Sequence, residues 1–190
     1  MIAQMISLLV DVMAGFFVYL LLARFHFQWL RVPFRNPFGE FVIALTNWVV
    51  RPARRVIPSL AGLDLATLLC AWVLQTFAVW ALLALRGWGF GDDAGEQFAW
   101  IAALACVDLA RYSLHLLVFA TLAQALLSWV NPHAPAIVVF DAFTRPFLLP
   151  LRRRIPPVAN IDLSPLILLV LLQLALIPVG HLRSLVERMV

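Results

Sequence analysis

Four long stretches of this chain are apolar on every helical face, and the segments between them gather most of its charge. They run near 5–30, 65–85, 98–130 and 163–180. A bilayer-crossing helix needs roughly 20 apolar residues, and an apolar run without a polar face belongs to a helix enclosed by lipid or protein. The second run, Leu65 to Leu85, carries no formal charge, and the fourth is short, with Pro165 and Pro178 near its ends, where proline is best tolerated. The third is too long for one crossing. From Phe98 to Val130 it would reach ~50 Å at ~1.5 Å per residue, against a hydrocarbon core of ~30 Å. A 20-residue span ending beside Asn131 begins at Arg111, so the crossing is set at about 108–130. The pattern predicts an all-α membrane protein with four transmembrane helices.

The polar segments repeat. Thr46, Pro52, Arg54, Arg55, Ile57, Pro58 and Asp64 return as Thr144, Pro150, Arg152, Arg153, Ile155, Pro156 and Asp162, each 98 positions on. The same offset carries Gln75 onto Gln173, while the Asn-Pro pairs Asn36-Pro37 and Asn131-Pro132 are 95 apart. The chain is therefore read as a tandem duplication, 1–90 and 91–190, with two spans in each half. Each half also holds a short interfacial helix and an Arg/Pro-rich connection. In the first, Asn36 caps and Pro37 opens a helix over about 37–51, ending before Pro52. In the second the matching segment, about 132–146, is broken by Pro135 and Pro146. Asp64 and Asp162 stand directly before apolar runs as N-caps.

Composition agrees with a membrane chain: hydrophobic residues are 64% and mean hydropathy is +0.95, far above soluble domains. The N-terminal run lacks the basic leader of a signal peptide and is expected to be a span. All 14 basic residues are arginine, giving a net charge of +4. They cluster in the two repeated connections, where topology rather than nucleic acid explains them. The positive-inside rule puts both connections in the cytoplasm, and the termini and the acidic loop with Asp92, Asp93 and Glu96 outside; Arg183 and Arg188 pull the other way. Two spans per half make the repeats parallel rather than inverted.

Several residues are candidates for chemistry. Asp108, Arg111 and His115 share a helical face in the third span, beside Tyr112; at the outer interface Asp108 and Arg111 would form an ordinary ion pair. Gln75 and Gln173 sit at mid-span, where an amide needs a partner, and the simplest is the symmetry mate or a neighbouring helix. Asp11 lies 97 before Asp108, but the 95-residue offset aligns it with Cys106. Arg24 can snorkel to headgroups. Cys70 and Cys106 read as small buried hydrophobes. No nucleophile elbow, phosphate loop or metal triad is present, so neither an enzyme nor a metal or other cofactor is expected.

The order Asn-Pro, interfacial segment, Thr, Pro-x-Arg-Arg-x-Ile-Pro, Asp and apolar span, given twice, resembles the YggT family of small integral membrane proteins. The motifs read Pro52-Ala53-Arg54-Arg55-Val56-Ile57-Pro58 and Pro150-Leu151-Arg152-Arg153-Arg154-Ile155-Pro156. Trp48 departs from the family's frequent proline, which the second copy keeps at Pro146. The resemblance implies a bacterial inner-membrane protein acting in osmotic-stress tolerance or ion homeostasis. It also leaves open a scaffold or assembly factor, in cell division or cytochrome assembly, that binds partners through the cytoplasmic motifs. The arginines imply anionic lipid as a partner, and four spans imply a homo-oligomer if anything is conducted.

Overall fold

The structure, a computed structural model, describes residues 1–59, 62–89, 93–131, 133–155 and 162–189. Pro132, Pro156 and Asp92 lie outside the described residues. Six helices follow one another: α1 (Ile2–Trp29), α2 (Pro37–Val56), α3 (Leu65–Leu85), α4 (Ala94–Val130), α5 (Pro135–Arg154) and α6 (Ser164–Glu187). Helices α1, α3, α4 and α6 are long and apolar enough to cross a membrane. Helices α2 and α5 lie between them.

Each helix end has a local cause. Leu30 caps α1, Arg31 turns left-handed at φ 54°, and the Val32 N–H returns to Phe27 O at 2.8 Å. This closes a Schellman motif with arginine where glycine is usual. Val32 and Phe27 then pack in one cluster. At the end of α3 the left-handed residue is Gly87, and Trp88 N–H reaches Leu83 O. The Asn36 side chain accepts from Gly39 N–H at 2.9 Å, with Pro37 as the first residue of α2.

The interfacial helices differ from the sequence reading. Helix α2 does not stop at Arg51 but runs through Pro52 to Val56, and α5 runs unbroken through Pro146 and Pro150. All three prolines are exposed, where water or headgroups can take the carbonyl that a proline leaves unbonded. Pro135 does not break α5 but begins it. The two helices match residue for residue at an offset of 98 (37 to 135, 56 to 154). Pro37 therefore corresponds to Pro135 rather than Pro132, and Asn131 is the C-cap of α4, not the N-cap of α5. At the other end, α6 continues through Pro178 to Glu187 instead of ending near 180.

Packing repeats with the sequence. α1 rests on α3 and α2, and α2 on α3; α4 rests likewise on α6 and α5, and α5 on α6. Helix α4 also packs against α1 and α3, which joins the halves. Buried threonines at matched positions bond back along their helices, Thr46 to Val42 O at 2.6 Å and Thr144 to Phe140 O at 2.8 Å. In α1 and α4 the register is 95: His26 Nδ1 meets Leu22 O, and Thr121 Oγ1 meets Leu117 O. The first core joins Val18, Leu21 and Leu22 of α1 to Val50, Ala71 and Leu109. The second gathers Phe27, Val139, Phe143, Leu148, Leu168 and Leu172.

Among the described glycines, Gly39 at the start of α2 has the closest neighbours. A Cβ on Gly39 would lie 2.8 Å from Phe34 Cα and 2.9 Å from Phe34 C. Gly39→Ala is therefore expected to cost about 1–3 kcal/mol by overpacking against backbone that cannot rotate away. Gly180→Ala, inside α6 with nothing near its Cβ, should leave the unfolding midpoint in detergent unchanged or slightly raised. Equal midpoints for both variants would refute the packing argument.

Candidate functional site

The repeated motif builds the same clasp in both halves. An arginine in the last turn of the interfacial helix reaches an aspartate ten residues on, at the start of the next span. In the first repeat Arg54 Nη2 donates to Asp64 Oδ2 at 2.5 Å and Nε to Oδ1 at 3.3 Å, a two-point contact that fixes guanidinium orientation. Asp64 is only 2% exposed; it caps α3 by accepting from Thr67 N–H and also from the Thr67 hydroxyl. Gln28 at the end of α1 accepts from the same arginine at 2.9 Å. In the second repeat Arg152 Nε donates to Asp162 Oδ2 at 2.8 Å, with Asp141 3.8 Å away. Asp162 accepts from Ser164 N–H at 2.9 Å, but the N-cap of α6 is Leu163, one residue beyond the position expected.

The first clasp has an extra member. Arg24 does not snorkel to the surface; it is buried and donates to Thr46 Oγ1 at 2.8 Å. The long side chain spans from α1 to α2 and uses the threonine as its acceptor. At the 95-residue offset its counterpart is Phe119, which is exposed, so the second half has no such strut. His26, two residues on, is buried with its ring 5.9 Å from Phe143.

Beyond Arg54 and Arg152 the motif arginines face outward. Arg55, Arg153 and Arg154 are exposed, as are Pro58 and Pro150, while Ile57 and Ile155 are half-buried. The exposed face of α2 forms a groove of about 390 Å³ between Asn47, Trp48, Arg51, Pro52 and Arg55. Among the described residues no ion pair is made by Arg51, Arg55, Arg153 or Arg154.

The intramembrane polar residues are arranged unlike the sequence reading. Asp108 is buried between the helices. It pairs with Arg183 of α6, whose Nε donates to Oδ1 at 2.7 Å, and with Gln75 of α3, whose Nε2 donates to Oδ2 at 3.0 Å. Arg183 continues to Glu187 at 2.7 Å. Arg111 forms no ion pair with Asp108. The cause is the length of α6: its last turns carry an arginine to the buried carboxylate, which a helix ending at 180 could not do. Arg183 is thus the residue that sequence reasoning missed, because the i,i+3 spacing gives Asp108 the nearer Arg111 as its cation.

The two glutamines do not meet. Gln75 is buried on Asp108, whereas Gln173 is exposed on the outer side of α6. The simple pairing failed because α3 packs on α4 while α6 packs on α4 from another side. His115 keeps a buried Nδ1 and Gln124 a buried Oε1 without a hydrogen-bond partner among the described residues. Tyr112 stacks near Tyr19, ring centroids 4.9 Å apart. Cys106 is exposed rather than buried, and Cys70 is half-buried.

Comparison with known proteins agrees with the twofold build. The CCB3/YggT family profile matches residues 3–85 and 103–182, one segment in each half. The chain belongs to the CCB3/YggT family. This YggT-family chain is 32% identical over 169 residues to a protein named YggT from Escherichia coli K12, covering 88% of this chain and 85% of that one. It is 35% identical over 172 residues to a Vibrio alginolyticus protein described as lying in the proC 3′ region, covering 89% and 90%. A Pseudomonas aeruginosa protein is 29% identical over 168 residues, covering 87% and 83%. No solved structure matches the chain.

Two predictions follow from the geometry. Removing one partner of a fully buried pair costs about 3–5 kcal/mol; Arg183 is 30% exposed, so Arg183→Leu is expected to cost about 2–3 kcal/mol after allowance for screening. Asp108→Leu/Arg183→Leu should cost less than the sum of the singles in a double-mutant cycle by unfolding in detergent; strict additivity would mean the pair contributes nothing. Burial pulls the carboxyls of Asp64 and Asp162 upward. For Asp64 the hydrogen bonds from Arg54 and Thr67 outweigh it, and for Asp162 the Ser164 N–H and Arg152 do; both end below their usual value. With folded values under the unfolded ~3.9, their stabilisation is complete above about pH 5 and fades as pH falls through the folded values. Asp64→Asn should flatten that acid limb in a pH series of unfolding midpoints, more than Asp162→Asn.

Proposed function

We propose that this YggT-family chain is a non-enzymatic membrane scaffold that holds anionic lipid headgroups, and through them or beside them a partner protein, on its exposed arginines. The observation that carries the reading is the division of labour inside the repeated motif. One arginine of each copy is held on an aspartate and fixes the helix against the next span. The arginines after it, Arg55 in one copy and Arg153 and Arg154 in the other, project from that fixed frame. An arginine near anionic headgroups contributes about 1 kcal/mol. The halves 1–90 and 91–190 act as the two repeat units, and the positive-inside rule puts the arginine side in the cytoplasm of a bacterial inner membrane. A partner in cell division or cytochrome assembly would dock on this side.

A role in osmotic-stress tolerance or ion homeostasis is the second reading. It is favoured by the carboxylate of Asp108, buried among three helices. Sodium and potassium flux into liposomes, compared between the native chain and Asp108→Asn, tests it directly.

For the scaffold reading, the protein is purified in mild detergent and its co-purifying lipids are quantified by mass spectrometry. Arg51→Gln/Arg55→Gln/Arg153→Gln/Arg154→Gln should lower retained phosphatidylglycerol and cardiolipin relative to phosphatidylethanolamine by at least about tenfold, with an unchanged unfolding midpoint. Unchanged retention in a folded variant would sink the reading.

A further inference from the structure

The interface that joins the two repeats is left open at both ends of the chain. Inside the molecule, the contact of α3 with α4 includes Trp72, whose Nε1 donates to Ala102 O at 3.1 Å; Gln75, on Asp108; and Val79, packed on Ile101 and Leu104. At the 98-residue offset their counterparts on α6 are Val170, Gln173 and Ile177. All three are exposed, Val170 by 52% and Ile177 by 67%. They line a groove of about 420 Å³ with Leu166, Leu169 and Leu174.

The other half of the same interface is open on α1. At the 95-residue offset Ile101, Leu104 and Asp108, all buried, correspond to Ile6, Leu9 and Met13. These are exposed by 43%, 63% and 50%. We propose that a second copy of this chain sets its α1 against α6, continuing between molecules the contact that α3 and α4 make within one.

The direction fits, and a polar group marks the face. Helices α3 and α4 run antiparallel through their contact, and α6 with the α1 of a copy inserted the same way would also run antiparallel. Gln173 is an amide on an apolar helix face, with no hydrogen-bond partner among the described residues. In hydrocarbon such a group binds to another helix. Its twin Gln75 is satisfied by a carboxylate. Met13 stands where Asp108 does, but Asp11 stands where Cys106 does, and Cys106 borders the groove beside Trp72. The Asp11 carboxylate of the second copy therefore lies about one helical turn along from Gln173, at the edge of the face that Met13 presents. The contact is head-to-tail, so it closes into a ring when the rotation per copy allows and otherwise extends.

Disulfide trapping in native membranes tests this, using the full chain with Cys70→Ala and Cys106→Ala. Leu9→Cys with Ile177→Cys reproduces the neighbourhood of Leu104 and Val79, which share one packed cluster, and a disulfide forms where the Cβ atoms come to ~3.8 Å. Oxidation is expected to convert most of this protein into linked dimers or a ladder. The equally exposed pair Leu9→Cys with Phe119→Cys should stay monomeric. Efficient linking by Gln173→Cys alone, on the other hand, would mean a two-fold α6–α6 contact and would overturn the proposal. So would native mass spectrometry of the unmodified protein showing monomer alone under conditions that preserve bound lipid, a readout that does not depend on the cysteine variants folding.

Discussion

A carboxylate buried among apolar helices needs a cation and a hydrogen-bond donor close by, and Asp108 takes one from each side: Arg183 from α6 and Gln75 from α3. Because an unpaired charge in such surroundings costs several kcal/mol, the three helices are held in the registers that bring these groups together. Helix α4 is the element the halves share, with α1, α3, α5 and α6 all packed on it. A slide of α6 by one turn would move Arg183 by ~5 Å and leave Asp108 without its cation. Apolar packing alone allows such slides, since lipid tails are as apolar as the side chains they replace.

The clasps act at the other end of the molecule. An interfacial helix packed by Val42, Thr46 and Val50 on one side would be free to swing at its connection to the next span. Arg54 on Asp64 and Arg152 on Asp162 close that connection, and each aspartate also accepts a backbone N–H at or beside the start of the span. One residue thus sets where the span begins and where the preceding helix ends. The exposed arginines inherit their direction from this geometry. Of the successive arginines in each motif, the first is held on an aspartate and the later ones stay exposed.

Much of this was legible in the sequence. The 98-residue offset tied Thr46 to Thr144 and Arg54 to Arg152, although the interfacial helices were bounded at about 37–51 and 132–146, and the apolar runs located all four long helices. The failures share a cause, which is that sequence shows what a residue is but not which face its helix turns inward. Pro52 and Pro146 were read as breakers because their exposure was not visible. Gln75 and Gln173 were paired because the repeat treats them alike, although α4 stands beside only the first of them on that face. Arg183 was counted with the loops because the apolar run fades after Pro178, while the helix does not. Asn131-Pro132 was matched to Asn36-Pro37 by identity, when the helices align three residues away.

A duplicated unit that joins its twin through unlike faces has a further consequence. Joining two units consumes one α3 face and one α4 face, and leaves the equivalent faces of α6 and α1 unused. In a soluble repeat protein such ends carry polar capping surfaces. Here they are apolar, and a bilayer covers Ile6, Leu9 and Ile177 as readily as a protein does. Apolar area therefore cannot tell lipid from a second copy at these ends. The discrimination falls to the polar groups, for which hydrocarbon is no substitute: the amide of Gln173 on one open face and the carboxylate of Asp11 at the edge of the other.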